Sequence, residues 1–198
     1  MFGAYAHGGP KPDESTPRPT VAAGTFHEVE AKRNAHSPVL RKVAKEQQGP
    51  EALARVMINA ARMDRLAQVL LAGDDETRRM SQHFALEVLK EVREGRPVFY
   101  TRKVDGFTLF DYFSDPNRYP ELSQQALPGK GRDLKKAMTW LYSKGFLHTD
   151  VHARNIMFDR DSGKLVLIDM DNPGVAGTQQ AQGLFEASKS RLNLVLQF

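Results

Sequence analysis

The chain has 198 residues, 40% of them hydrophobic and 26% charged, and it contains no cysteine. That mix suits a globular chain with enough core for one domain or two small lobes, and it excludes disulfide frameworks and thiolate metal sites. The net charge of +4 is spread along the sequence and reads as a solvated surface, no apolar run approaches the roughly 18 residues of a membrane span, and the first residues lack the apolar core of a signal peptide.

Residues 1–20 are rich in Gly, Pro, Ser, Thr and charge and are expected to form a disordered tail, either an overhang or a secretion address. Ordered structure is expected from Val21 to Val29, followed by a strand over 38–43. Apolar residues at helical spacing predict a helix over 50–72, with Pro50 in its first turn and Gly73 after its end. A shorter helix over 75–84 has Asp74 or Asp75 as its N-cap. Two antiparallel strands, 85–92 and 97–101, turn at Glu94-Gly95-Arg96. Residues 102–106 connect them to Gly106–Phe113, where Leu109, Phe110 and Phe113 read as core anchors. Prolines and glycines make 114–131 a loop, and 132–144 an amphipathic helix stopped by Gly145. Beyond Asn172, residues 173–183 read as a flexible small-residue loop and 184–198 as one helix.

The chemistry concentrates in residues 148–172. His148-Thr149-Asp150 is followed by Asn155, the apolar strand Ile156-Met157-Phe158, a turn at Asp161-Ser162-Gly163, and a second strand Leu165–Ile168 ending at Asp169. A hairpin of that length returns Asp169 close to Asn155. Two acids and an amide gathered this way suit phosphoryl transfer, where positioning and charge neutralisation supply most of the catalysis. Asp150 would accept or orient the attacking hydroxyl, and Asn155 and Asp169 would hold magnesium. The plain alternative is a β-hairpin with solvated acids at its ends. His148 reads as a buried brace for the loop, and Asp171 as indirect support for the metal site.

The H-x-D-x-x-x-x-N run, the hairpin and the following Asp resemble the catalytic and metal-binding loop of the protein-kinase-like fold. Two departures stand out: Thr149 follows the His, and the last motif is Asp169-Met170-Asp171. Earlier segments resemble the same fold in order. Gly24, Thr25, Phe26 and Val29 resemble a degenerate glycine-rich loop over the nucleotide, with Ala22 and His27 where other glycines would stand. Val39-Leu40-Arg41-Lys42 resembles the strand whose lysine contacts the α- and β-phosphates, so Lys42 takes a catalytic and ATP-binding role, with Arg41, Lys45 and Lys32 as competitors. Its helix partner is Asp64, with Glu51 and Glu76 as alternatives. Arg102 and Val104 fall in the adenine-binding hinge. The resemblance implies an α+β, minimal two-lobed protein-kinase-like fold with a truncated C-terminal lobe: a small nucleotide-binding lobe at 21–105 and a reduced helical lobe at 106–198.

The short remainder after Asn172, the tail and the motif positions resemble the HopBF family of bacterial type III effector kinases. That resemblance implies an ATP- and Mg2+-dependent Ser/Thr protein kinase, monomeric, delivered by type III secretion into the host cell cytoplasm. Its implied substrate is the eukaryotic heat-shock protein 90 chaperone, with no nucleic acid or membrane partner, and residues 173–183 become a candidate substrate contact. Two other readings stand beside it. His152, two residues after Asp150, is typical of aminoglycoside- and choline-type small-molecule kinases. The degraded glycine loop suits a pseudokinase binding module.

Overall fold

The computed structural model describes residues 20–23, 27–31, 39–44, 50–71, 73–93, 96–170 and 173–196. Its first sheet is built from β1 (Thr20–Ala23), β2 (His27–Ala31), β3 (Val39–Ala44), β4 (Glu87–Arg93) and β5 (Arg96–Arg102). They pair antiparallel in the order β1-β2-β3-β5-β4. In β5, Val98 and Phe99 are both buried, so this strand is covered on both faces. Phe99 packs on Ala60 and Met63 of α1 (Pro50–Leu71). The buried stripe of α1 continues through Leu66, Ala67 and Leu70, at the spacing of one helix face. Leu66 and Leu70 belong to a second, larger core. One helix therefore reaches both hydrophobic clusters.

That larger core lies among α4 (Leu127–Ser143), α5 (Gln179–Leu196) and two small sheets. One sheet has the order β6-β8-β9: β6 (Gly106–Thr108), β8 (Ile156–Asp159) and β9 (Lys164–Leu167). The other pairs β7 (Phe146–Leu147) with β10 (Gly174–Val175). Leu134, Ala137 and Leu141 of α4 meet Leu165 and Leu167 of the hairpin and Phe185 and Leu192 of α5 in one cluster. The hairpin turns through Gly163 at φ 65, a left-handed position that glycine takes without strain. After the short helix α2 (Asp75–Ser81), residues 83–85 run beside β9: Leu167 N–H donates to His83 O and Ala85 N–H to Leu167 O, each at 2.8 Å. Among the described residues no helix is long and apolar enough to cross a membrane.

Several sequence expectations shift. The helix expected at 132 begins at Leu127, because Pro128 fits a first turn that lacks N–H partners anyway, and Gly131 is buried in the packed face. The loop expected over 173–183 holds β10 and the first turn of α5, where Thr178 Oγ1 accepts the Ala181 N–H at 3.0 Å as a cap. Phe110 and Phe113 are exposed, and Tyr112 takes the core position. A capping box between Thr108 and Asp111 starts α3 (Leu109–Ser114) at Leu109, and that phase turns Leu109 and Tyr112 inward together. The stretch expected as strand from residue 85 begins as β4 only at Glu87. The tail at 1–19 lies outside the described residues.

Gly106 has no room for a side chain, since a Cβ there would overlap the Phe158 carbonyl oxygen. Gly106→Ala should cost about 2 kcal/mol, read as a lower urea midpoint, because backbone rather than a flexible side chain must move. His83 is buried, its Nδ1 2.8 Å from Leu165 O, and burial holds its pKa below the ordinary 6.5. A depressed histidine contributes stability that is complete above the unfolded pKa and lost as pH falls through the interval below it. The stability gap between the native chain and His83→Asn should therefore narrow as pH falls below about 6.5 in urea titrations.

Candidate active site

The site begins with how β7 delivers the chain into the loop. His148 follows β7 and is 4% exposed. Its Nδ1 lies 3.1 Å from the Asp150 backbone N–H, which can only donate. Nδ1 is therefore the acceptor, and the ring proton sits on Nε2, 2.9 Å from Ile168 O. One neutral imidazole thus ties the loop at Asp150 to the end of β9. Ser188 of α5 donates through Oγ to His148 O at 3.3 Å. Both expectations for His148, burial and bracing, are met by these contacts.

A second tie runs through the same residue of β9. Ile168 N–H donates to Asn155 O at 2.9 Å, and Asn155 N–H donates to His152 O at 2.9 Å. Asn155 is buried, and its Nδ2 donates to Asp150 O at 3.1 Å and to Asp150 Oδ2 at 3.3 Å. The Asp150 side chain is 65% exposed, and its Oδ2 also lies 3.3 Å from His152 Nε2. Asp150 is thus held from two sides and still open to solvent. Asp169 follows Ile168 directly, so it stands beside the Asn155 segment. Its φ is 63, the single positive φ outside glycine among the described residues. A left-handed Asp costs about 1 kcal/mol or more and persists only where neighbours enforce it. Asp169 therefore stands beside Asn155 along the backbone, and Asn155 in turn holds Asp150. Asp171 lies outside the described residues.

No group of three His, Cys, Asp or Glu gathers among the described residues. A cation here would instead use the Asp169 carboxylate and Asn155 Oδ1, since the Asn155 nitrogen is engaged with Asp150. Two protein oxygens suit magnesium, which keeps waters and takes phosphate oxygens to complete its shell. The donor set fits that ion.

Beside the trio lies an apolar shelf. Val104, Ala85 and Val166 are buried together, with Met157 and Ile168 half-buried against them. Val104 thus stands where a flat apolar ring can rest on Met157 and Ile168. Arg102 ends β5, and its Nη1 lies 2.9 Å from Oδ2 of the buried Asp159. Its Nη2 also reaches Gln82 O at 3.3 Å. In the first sheet, Val29 faces Lys42 across β2–β3, and Lys42 faces Phe99 across β3–β5. The side chains of Val29 and Lys42, and all of Gly24, Thr25 and Phe26, lie outside the described residues. Asp64 is exposed and accepts a hydrogen bond from Gln68 at 3.0 Å, and Glu51 and Glu76 are exposed as well.

Two features had no sequence signal. Asp159 accepts from Arg102 and, at 2.8 Å, from Ser162, yet its Oδ1 has no partner among the described residues. Nothing in the order of residues pairs positions 102 and 159. The second feature is the Arg154 guanidinium, 4.4 Å from the centre of the exposed Phe110 ring. It sets a cation and an aromatic face next to the loop that carries Asp150.

Comparison with known proteins adds the fold. A Plasmodium kinase domain matches at TM-score 0.58 and 14% identity, over 80% of this chain and 51% of that one. The kinase PK-1 of the Cydia pomonella granulovirus matches at TM-score 0.48 and 18% identity, over 77% of this chain and 49% of that one. The chain thus spans about half the length of the solved kinases it matches. No protein-family model matches the chain, and no curated protein does. The fold, a mixture of helix and sheet, is protein-kinase-like.

His148→Ala should cost about 1 kcal/mol, since it leaves the carbonyl of half-buried Ile168 without its donor. Hydrogen exchange at the Asp150 amide should accelerate with it, while a merely cavity-forming change would leave that amide as slow as before.

Proposed function

We propose that the chain is an ATP- and Mg2+-dependent protein kinase acting on Ser or Thr hydroxyls. The observation that carries this is the pair of ties on Ile168, which set the backbone of Asp169 beside Asn155 and the loop that carries Asp150. Asp150 is the group for the acceptor. Its exposed carboxylate meets an incoming hydroxyl and receives the proton as the new O–P bond forms and the β–γ bridging bond breaks, leaving ADP. Asn155 fixes the Asp150 rotamer through Nδ2. Bound Mg2+ would neutralise the nucleotide phosphates, held by Asp169 and Asn155 Oδ1. The shelf of Val104, Met157 and Ile168 supports the adenine, and the backbone after Arg102 faces its edge. Lys42 serves the α- and β-phosphates, and Gly24 to Val29 covers them; the facing register of Val29 and Lys42 supports this assignment.

The narrower reading is a bacterial type III effector, acting as a monomer in the host cytoplasm on the heat-shock protein 90 chaperone. Its support is the resemblance of the motif set to the HopBF effectors. A second reading, a kinase of the aminoglycoside or choline type, draws on His152 lying 3.3 Å from Asp150 Oδ2.

Incubation with γ-labelled ATP, magnesium, purified chaperone and a eukaryotic lysate separates these. Label should enter the chaperone, and Asp169→Ala and Asp150→Asn should each lower the rate by about 100-fold or more, since charge stabilisation is usually the largest catalytic contribution. Label in lysate small molecules alone would favour the second reading. Absence of any transfer from the native chain would end the kinase assignment.

A further inference from the structure

Away from residues 148–155, α2 and α4 enclose an open trough of about 710 Å³. Its α4 wall is a single stripe: Arg132, Lys135, Lys136, Thr139 and Ser143 recur at helical spacing. Lys144 closes one end, and Glu76 is the one acid among the lining residues. Trp140 and Met80 form the apolar floor. The charges nearby are partly spoken for. Lys135 Nζ reaches Asn193 Oδ1 at 3.2 Å, and Lys136 faces Asp133 at 3.5 Å. Asp74, near Lys144, is held by the Thr77 N–H at 2.8 Å, which keeps its carboxyl below the usual range. The lining thus carries four cations against one acid. The floor beneath these charges is nearly sealed at Trp140. This residue is 7% exposed, and its indole N–H has no hydrogen-bond partner among the described residues. Buried donors normally find one, and an unmet donor costs about 1–3 kcal/mol.

We propose that this trough is a docking site for an acidic peptide segment of a partner protein. The carboxylates of the segment meet Arg132 and Lys144, and its apolar side chains rest on Met80 and the accessible edge of Trp140. The openness of the trough argues for a chain lying along it. Cations that stay hydrated at the rim steer an acidic partner without the cost of full burial. The site is independent of the kinase reading, because none of its lining belongs to the catalytic loop.

The single tryptophan of the chain is Trp140, so its emission reports entry into the trough directly. The test is titration of the full chain with a short synthetic peptide of alternating glutamate and leucine, and with the same peptide carrying lysine for glutamate. The acidic peptide should shift Trp140 emission and bind more weakly in high salt. Arg132→Glu with Lys136→Glu should weaken binding about ten-fold, with the unfolding midpoint little changed because both residues are exposed. Equal binding of both peptides, or binding that survives the charge reversals, would overturn the proposal. So would an emission change produced by phosphatidylserine vesicles and not by the acidic peptide.

Discussion

Ile168 is where the structure is most constrained. Its carbonyl receives the His148 ring proton, and its N–H enters the Asn155 carbonyl. Both bonds join the end of β9 to the loop between β7 and β8. Without them Asp169 would lose its fixed place beside Asn155 and Asp150, which are joined to each other directly. The apolar residues around this point make the bonds strong. Val151, Ile156, Leu167 and Met170 are all essentially buried, so water does not compete for the backbone groups. A left-handed Asp169 is then the geometric remainder: the chain leaves a fixed Ile168 and must turn at once.

The core supports this arrangement from two directions. From one side α5 presses Phe185 and Leu192 into the cluster and sends Ser188 to the His148 carbonyl. From the other, residues 83–85 lie along β9 and bring α2 and the first sheet with them. The stretch from Arg102 to Gly106 is fastened separately. Arg102 grips Asp159 at the end of β8, Arg160 N–H donates to Asp105 O at 2.8 Å, and Gly106 lets β6 approach β8 without a side chain between. The connection between the two packed regions is therefore tied to the same hairpin that carries the site.

The hairpin from Ile156 to Leu167 and the helix from Pro50 were readable in the sequence, because each rests on local rules of period, turn and spacing. The candidate site residues Asn155 and Asp169 flank that hairpin. The orientation of α3 was not readable from apolar content. Phe110 and Phe113 are as hydrophobic as Tyr112, and the phase came from the Thr108–Asp111 cap, a signal present in the sequence but outweighed by the aromatic residues. The early starts of α4 and α5 were hidden by Gly129, Gly131 and Gly183, whose propensities oppose helix while tertiary packing favours it. The Arg102–Asp159 pair and the alignment of residues 83–85 with β9 join positions far apart in the chain, and such pairings leave no local trace.

That last alignment bears on how the chain acquires its fold. Phe84 and Leu167 form a parallel bridge, so a short segment ahead of β4 completes its hydrogen bonds only when the distant hairpin is in place. Closing a loop of that length carries an entropic cost that grows slowly with length but must be met before the contact contributes anything. A fold with such distant partners reaches its native state more slowly than one made of neighbouring pieces. The first sheet can therefore pair its own strands early, while His83 and Ala85 wait for β9. Assembly of the site and docking of the two packed regions become one late event, and nascent chains expose the Phe84 edge until it occurs.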